Sequence, residues 1–390
     1  INKGAYPGCQ VLIAKDGKII YDKQFGKPTY ESGRSIVESD LYDIASVTKI
    51  SATLLAVMDL VSKEKMSLDD QLGMHLGKLV KNTDYANLSI REILAHQAGL
   101  AAWIPFYIKT LEKGVPSEKY YRKVASDDFS IRVADSLYIS KSYEDTIFYR
   151  IIHRAKVNPK KEYKYSDVGY YFMKEIVEKI TEEPIEDYLQ AHFYQPLGMA
   201  HTTYNPREIF PLEQLIPTED DHSFRNQLVW GDVHDPGAAM LGGVGGHAGL
   251  FSTANDLAKL MQLYLNGGTY AGKQYLKKSV IDEFVKCQFC KKEEPMNAKE
   301  NRRAAGFDKP AFHGNPGPTC DCISYASFGH SGFTGTYAWA DPEAQIVYIF
   351  LSNRVYPDAN NKKLLQLNIR TDIQERIYQA IQSKAPQSIN

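Results

Sequence analysis

The sequence predicts a mixed α/β (α+β) fold in which a sheet is assembled from both ends of the chain and a mainly helical region is inserted between them. Three observations lead there. The chain opens with "GCQVLIAKDGKIIYDKQFG", two β-rich runs joined by Asp16-Gly17, a preferred two-residue hairpin turn. It returns to strand-like text near its end, in "TYAWA" (336–340) and "QIVYIFLS" (345–352) joined through "DPEA". Between these lie mostly helical and loop-like segments punctuated by Gly and Pro, and helices packed on a terminal sheet are the economical arrangement.

Taken in order, the hairpin strands are expected over Cys9–Lys15 and Lys18–Phe25. From Ser46 onward Val47, Ile50, Leu54, Val57, Met58 and Val61 recur at helical spacing, which predicts a helix of about four turns with one buried face. Helices follow in "SIREILAHQ" (89–97), "YYFMKEIVEKIT" (170–181) and "IEDYLQAHFYQPLGM" (185–199). The Tyr-, Lys- and Asp-rich stretch 101–164 lacks clean periodicity and is expected to form helices and long loops over a cleft. In "STANDLAKLMQLYLNGG" (252–268), Thr253 and Asp256 suggest a capping box and Gly267-Gly268 a stop. A last amphipathic helix is expected over roughly 363–381. The division is 1–75 (hairpin and first helix), 76–240 (helical insert) and 241–390 (the remaining sheet and helices).

Composition narrows the function. With 43% hydrophobic and 24% charged residues in 390, the chain can bury a large core. Its 46 basic and 47 acidic residues leave a formal charge of -1, which argues against nucleic acid or an anionic membrane and for a small-molecule substrate. The longest apolar run, "IVYIFL" at 346–351, is far short of the roughly 20 residues of a membrane span. The chain begins at Ile1, as a processed product or a piece of a longer polypeptide would.

The chemistry centres on "YDIASVTKISATLL" (42–55), which sets Ser46 and Lys49 three apart at a helix start. Residues at that spacing share a face, so Lys49 can reach the Ser46 hydroxyl and take its proton. The helix N-terminus would stabilise an oxyanion and lower a nearby lysine's pKa. A second Ser-x-x-Lys, Ser62 to Lys65, sits in a charged helix end and shows how little the motif specifies alone. Two more stretches give it company: Tyr165-Ser166-Asp167 before a helix, and His330-Ser331-Gly332 before a strand.

In that order the three stretches resemble the Ser-x-x-Lys, Tyr-x-Asn and Lys/His-Thr/Ser-Gly signature of the penicillin-recognising serine enzymes, in the branch of class C β-lactamases, D-Ala-D-Ala carboxypeptidases and esterases. "LAHQAGL" (94–100) and "GGHAGLFSTANDLAKL" (245–260) are similar to stretches of that family too. The resemblance implies a five-stranded antiparallel sheet and an acyl-enzyme on Ser46, with Lys49 as proton acceptor or shuttle and Tyr165 as second base. It implies that Ser331 and Gly332 lie beside the substrate and that the Ser46 and Phe333 amides form the oxyanion hole. No cofactor or metal is implied, and a bacterial, extracytoplasmic setting is.

The departures carry consequences. Asp167 stands where the family has Asn; as a carboxylate it would hold Lys49 protonated, and it cannot donate to a substrate carbonyl. With His330 where Lys is more frequent, recognition of a substrate carboxylate should weaken as pH rises past the imidazole pKa. His96 and His247 read as hydrogen-bonded structural histidines, and "GHSGF" lacks the second glycine of a nucleophile elbow. Of five cysteines, the pairs Cys287/Cys290 and Cys320/Cys322 leave open one or two disulfides, free thiols or a zinc knot, with the loop-like "KKEEPMNAKENRR" between them. The opening stretch is also similar to the C-terminal β-lactamase-like domain of some glycoside hydrolase family 3, β-N-acetylglucosaminidase-like proteins, which would make this chain a weakly active or non-catalytic module beside an N-terminal glycosidase domain. No glycosidase carboxylate pair is evident in it.

Overall fold

A computed structural model of the chain describes residues 1–290, 303–311 and 317–383, so the expected loop at 291–303 lies outside the described residues except for Arg303. The hairpin forms from β1 (Gly8–Lys15) and β2 (Lys18–Gly26). Asp16 and Gly17 turn it with φ of 51° and 73°, the pair of positive values a two-residue hairpin of this hand requires. From the other end come β3 (Phe328–Ser331), β4 (Tyr337–Asp341) and β5 (Ile346–Ser352). The five strands pair antiparallel in the order β3-β4-β5-β1-β2, with Leu12 opposite Ile349 where the chain's two ends meet.

Alternation along the strands decides what covers each face. Leu12, Ala14, Val347 and Ile349 point into the main core. Against it packs α4 (Ala254–Leu265), which carries Leu257, Leu260 and Met261 and lies across β1, β4 and β5. The intervening residues Val11, Ile13, Trp339, Tyr348 and Phe350 face the other way onto Ile377 and Tyr378. The sheet is therefore the middle of three layers.

Four local expectations need correction. The nucleophile-candidate helix, α1 (Leu54–Ser62), is buried on nearly every side and not on one face, consistent with its lack of a polar stripe. The stretch 101–164 adds short strands, including a three-stranded sheet of Tyr121–Arg122, Leu137–Ile139 and Ile131–Ala134, which are too brief to show a period. The last helix is two, Lys363–Gln366 and α6 (Ile369–Gln382), broken where Asn368 takes a φ of 50°. At the head of α4, Thr253 Oγ1 accepts from Asp256 N, but the Asp256 carboxylate turns to His201 N, Thr202 and Lys259 and does not return the cap.

The other helices follow the text: α2 (Ile90–Leu94), with a full capping box between Ser89 and Glu92, and α3 (Val168–Thr181). No helix among the described residues is long and apolar enough to cross a membrane. Cys287 bridges to Cys290 and Cys320 to Cys322, while Cys9 is buried and free.

The seam between the chain ends makes the core sensitive to volume. Ile349 is fully buried at its centre, and Ile349→Ala should lower unfolding free energy by about 3 kcal/mol, read as a shift of the urea midpoint at unchanged slope.

Candidate functional site

Ser46 lies between a strand and a helix, and the connection is tight. Tyr42–Asp43 pairs with Phe251–Ser252, and Asp43 Oδ1 then accepts from Ala45 N at 2.8 Å. That bond holds Ala45 at a φ of 47°, a left-handed conformation a non-glycine residue adopts only when its surroundings compel it. The next amides, of Val47, Thr48 and Lys49, each bond to the carbonyl three residues back. A wide π-type turn over Lys49–Thr53 follows before α1 begins. Ser46 thus stands in the tight lead-in, eight residues ahead of α1, and not at the start of the regular helix expected to begin with it.

Lys49 is fully buried, and its Nζ meets three chain segments. It donates to Ser46 Oγ at 2.9 Å and to His247 O at 3.1 Å, and pairs with Asp167 Oδ1 at 2.6 Å. Burial alone would lower the lysine's pKa, but the Asp167 carboxylate, foremost among its polar neighbours, overrides it and holds Lys49 above its ordinary value. This reverses the lowering expected from the helix dipole and agrees with the effect expected of Asp167.

Tyr165 approaches from the loop ahead of α3. Its hydroxyl donates to Ser46 Oγ at 3.0 Å. His96 fixes this loop: its Nδ1 accepts from Ser166 N at 3.1 Å, and its ring centroid is 4.5 Å from that of Tyr165. His247 is likewise bonded, through Nε2, to Asp235 Oδ1 at 2.7 Å. Burial would raise Asp235, yet His247 and the Ala238 amide keep it below the usual carboxylate range. Both histidines are hydrogen-bonded, as expected, but they brace the loops that touch Ser46 and Lys49.

His330 and Ser331 belong to the edge strand β3 itself, and Gly332 and Phe333 turn away from it. The turn is fastened to the Ser46 approach by Thr334 Oγ1, donating to Asp43 O at 2.7 Å, and Thr336 Oγ1, donating to Ile44 O at 2.8 Å. Only glycine fits at 332, because a Cβ there would come within 2.4 Å of Ile44 O. Among the described residues neither the Ser46 nor the Phe333 amide donates a hydrogen bond.

One expectation about His330 fails. The ring is buried, its Nδ1–H donates to Ser331 O at 2.8 Å, and its bare Nε2 faces the Arg303 guanidinium at 3.4 Å. Burial, with Arg303 and Lys49 nearby, pushes it well below the ordinary imidazole value. His330 is therefore neutral, and the cation at that end of the site is Arg303. Arg303 lies 5.3 Å over the Tyr165 ring and is ion-paired to Asp308. Sequence reading missed it, since "NRRAAGF" carries no motif or periodicity.

Ser46, Tyr165, Asp167, Arg303 and His330 to Phe333 line one cleft of about 910 Å³, with Lys49 buried behind it and Trp103, Tyr107 and Tyr163 of the irregular stretch adding to its wall. The competing Ser62 to Lys65 pair is pulled apart: Ser62 is buried and accepts from Lys277 N, and Lys65 is exposed. The four bridged cysteines lie outside the cleft's lining. The Cys287–Cys290 bridge encloses Gln288, whose amide donates to Arg303 O at 2.8 Å.

A family model described as Beta-lactamase matches residues 1–371. A protein of Escherichia coli (strain K12) named "Putative D-alanyl-D-alanine carboxypeptidase" is 30% identical over 92% of this chain and 81% of its own length. Among solved structures, the octameric penicillin-binding protein homologue from Pyrococcus abyssi covers 95% of this chain and 75% of its own, with a TM-score of 0.64 and 23% identity. The D-amino acid amidase from Ochrobactrum anthropi covers 90% of this chain and 91% of its own, with a TM-score of 0.60 and 17% identity. At those identities the two structures share the fold.

His96, too, is held well below its ordinary value, by burial and then by Arg303 and Lys49. Both rings are neutral when folded and take up protons near pH 6.5 when unfolded, so the unfolded chain binds more protons below that pH. Stability should be intact above about pH 6.5 and fall beneath it, seen as a lower urea midpoint at about pH 5.5 than at about pH 7.5, with a smaller drop in His330→Gln.

Proposed function

Since the chain belongs to the beta-lactamase family of hydrolases, we propose that it is a serine hydrolase that acylates Ser46 and releases the acyl group to water, with small D-alanyl peptides or related amides and esters as substrates. One observation carries the reading: a single hydroxyl, Ser46 Oγ, is met at once by Lys49 Nζ and the Tyr165 hydroxyl, beside two undirected amides.

Because Asp167 keeps Lys49 an ammonium, the group that relays the Ser46 proton is Tyr165, whose oxygen lies within hydrogen-bond reach of Oγ. The Ser46 proton passes to the Tyr165 oxygen as Oγ attacks the carbonyl carbon, and the Lys49 charge steadies both oxygens. The Ser46 and Phe333 amides receive the oxyanion. Tyr165 gives its proton to the departing amine or alcohol, leaving an ester on Ser46. It then takes a proton from water, and the proton returns to Oγ as that ester breaks.

Arg303, beside neutral His330, supplies a charge that answers a carboxylate on the leaving group, as at the end of a D-alanyl peptide. That fits the name borne by the E. coli relative. Two disulfides suit an oxidising, extracytoplasmic compartment. An Asp167 carboxylate paired to Lys49 has no donor for a β-lactam amide carbonyl, so penicillins are poor ligands.

Two variants test this. Ser46→Ala should abolish both fluorophosphonate labelling and hydrolysis of D-alanyl peptides, and labelling that persists would sink the assignment. Asp167→Asn should gain labelling by fluorescent penicillin, and an unchanged signal rejects the account of Asp167.

A further inference from the structure

Beyond Phe333 the cleft is lined by Arg354 and Arg370, neither of which is ion-paired to a carboxylate among the described residues. Arg354, just past β5, is buried; its guanidinium lies 4.6 Å over the Phe333 ring, and its Nη1 donates to Ala359 O and Asn361 O. Its stem crosses the same turn that carries Phe333, where a Cβ on Gly335 would come within 2.9 Å of Arg354 Cγ. Arg370, half-buried in the first turn of α6, donates from Nη1 to Thr336 O at 3.0 Å. Both line the cleft that holds Ser46.

Among the described residues neither guanidinium is ion-paired to a carboxylate. The acid that supports Arg354 from nearby is Glu219, and its oxygens are taken by His234 Nε2 at 2.6 Å and the Ala359 amide at 3.0 Å. Burial weakens the charged form of both arginines, and Arg370 adds repulsion at Arg354. Like charges gathered in a concave site, with only an already engaged carboxylate nearby, are costly unless an anion arrives to share them.

The direction of β3 says which part of a substrate reaches them. His330, one residue before the strand's end, lies with Arg303 and Tyr165, the proposed proton donor to the leaving group. From Ser331 the chain leaves the strand through Gly332 to Phe333 and Arg354, and with the leaving group assigned to the Arg303 and Tyr165 side, the acyl half falls to this one.

We propose that Arg354 and Arg370 form an anion subsite for a carboxylate carried on the acyl half of the substrate, several bonds from the scissile carbonyl. The subsite rests on the serine hydrolase reading and names its substrate class: acidic acyl donors, such as a peptide with a free side-chain or α-carboxylate upstream of the cleaved bond.

The probes are the p-nitrophenyl ester of suberic acid, with a free distal carboxylate, and the matched ester of suberamic acid, in which that group is a carboxamide. Wild type should favour the carboxylate ester by about tenfold in kcat/KM. In Arg354→Gln and in Arg370→Gln that ratio should fall towards one. Taken on the same preparation, it is unaffected by how much of the variant is folded. A wild-type ratio of one, or a ratio that survives both substitutions, overturns the subsite while turnover itself leaves the hydrolase reading standing. Absence of turnover together with absence of Ser46 labelling overturns that reading instead. Inhibition of the carboxamide ester by inorganic phosphate, with no preference between the esters, assigns the pair to a free anion and overturns the substrate-borne carboxylate.

Discussion

The arrangement around Ser46 depends on one buried ammonium. Lys49 is entirely out of water, and such a charge survives only if the protein surrounds it with acceptors. The three that do so come from the turn before α1, the loop before α3 and the glycine-rich segment before Phe251, through Ser46 Oγ, Asp167 and the His247 carbonyl. These segments are far apart in sequence, and removing any one would leave the cation short of a partner. The residues behind them follow from the same demand: His96 fixes the Tyr165 loop, and Asp235 fixes the ring of the residue whose carbonyl Lys49 uses.

A second constraint sets where β3 sits. An edge strand could slide or peel, but two threonine hydroxyls bond its turn to Asp43 O and Ile44 O, directly ahead of Ser46. Gly332 allows that approach, and Ala45 accepts a left-handed conformation within it. The strain at Ala45 and the contact at Gly332 are two sides of one closure, which brings the Phe333 and Ser46 amides into the same site. Three layers of ordinary packing supply the energy to hold it, since α4 and α6 bury opposite faces of the sheet.

How much of this was legible in the sequence divides along physical lines. The sheet could be read because β1, β2 and β5 are β-rich or continuously apolar runs of seven to nine residues, the first two joined by a diagnostic Asp-Gly turn. Short strands within 101–164 could not, because two to four residues carry no period. Ser46, Lys49, Tyr165 and His330 could be picked out by their order, and they converge; Asp167 could be flagged as a carboxylate among them. The protonation of His330 could not be read, because it depends on burial and on Arg303, which sits 27 residues away and belongs to no pattern. Arg354 and Arg370 were invisible for the same reason, as each is an unremarkable basic residue until the fold withholds a carboxylate from it.

Charge balance over the whole chain and charge balance within the cleft are different quantities. A total of 46 basic against 47 acidic residues rightly argues against polyanions, whose binding needs a broad field. Inside the cleft the compensation is graded. Lys49 is answered by Asp167, and Arg303 by Asp308 on one side and a neutral imidazole on the other. Among the described residues Arg354 and Arg370 have backbone carbonyls and aromatic rings, and no free carboxylate, beyond the occupied Glu219. The least compensated charges are thus Arg354 and Arg370, and low-dielectric walls concentrate their potential where a small ligand enters. A nearly neutral protein can in this way prefer an acidic substrate, because selectivity follows the few charges left uncompensated at one site and not their sum over the surface.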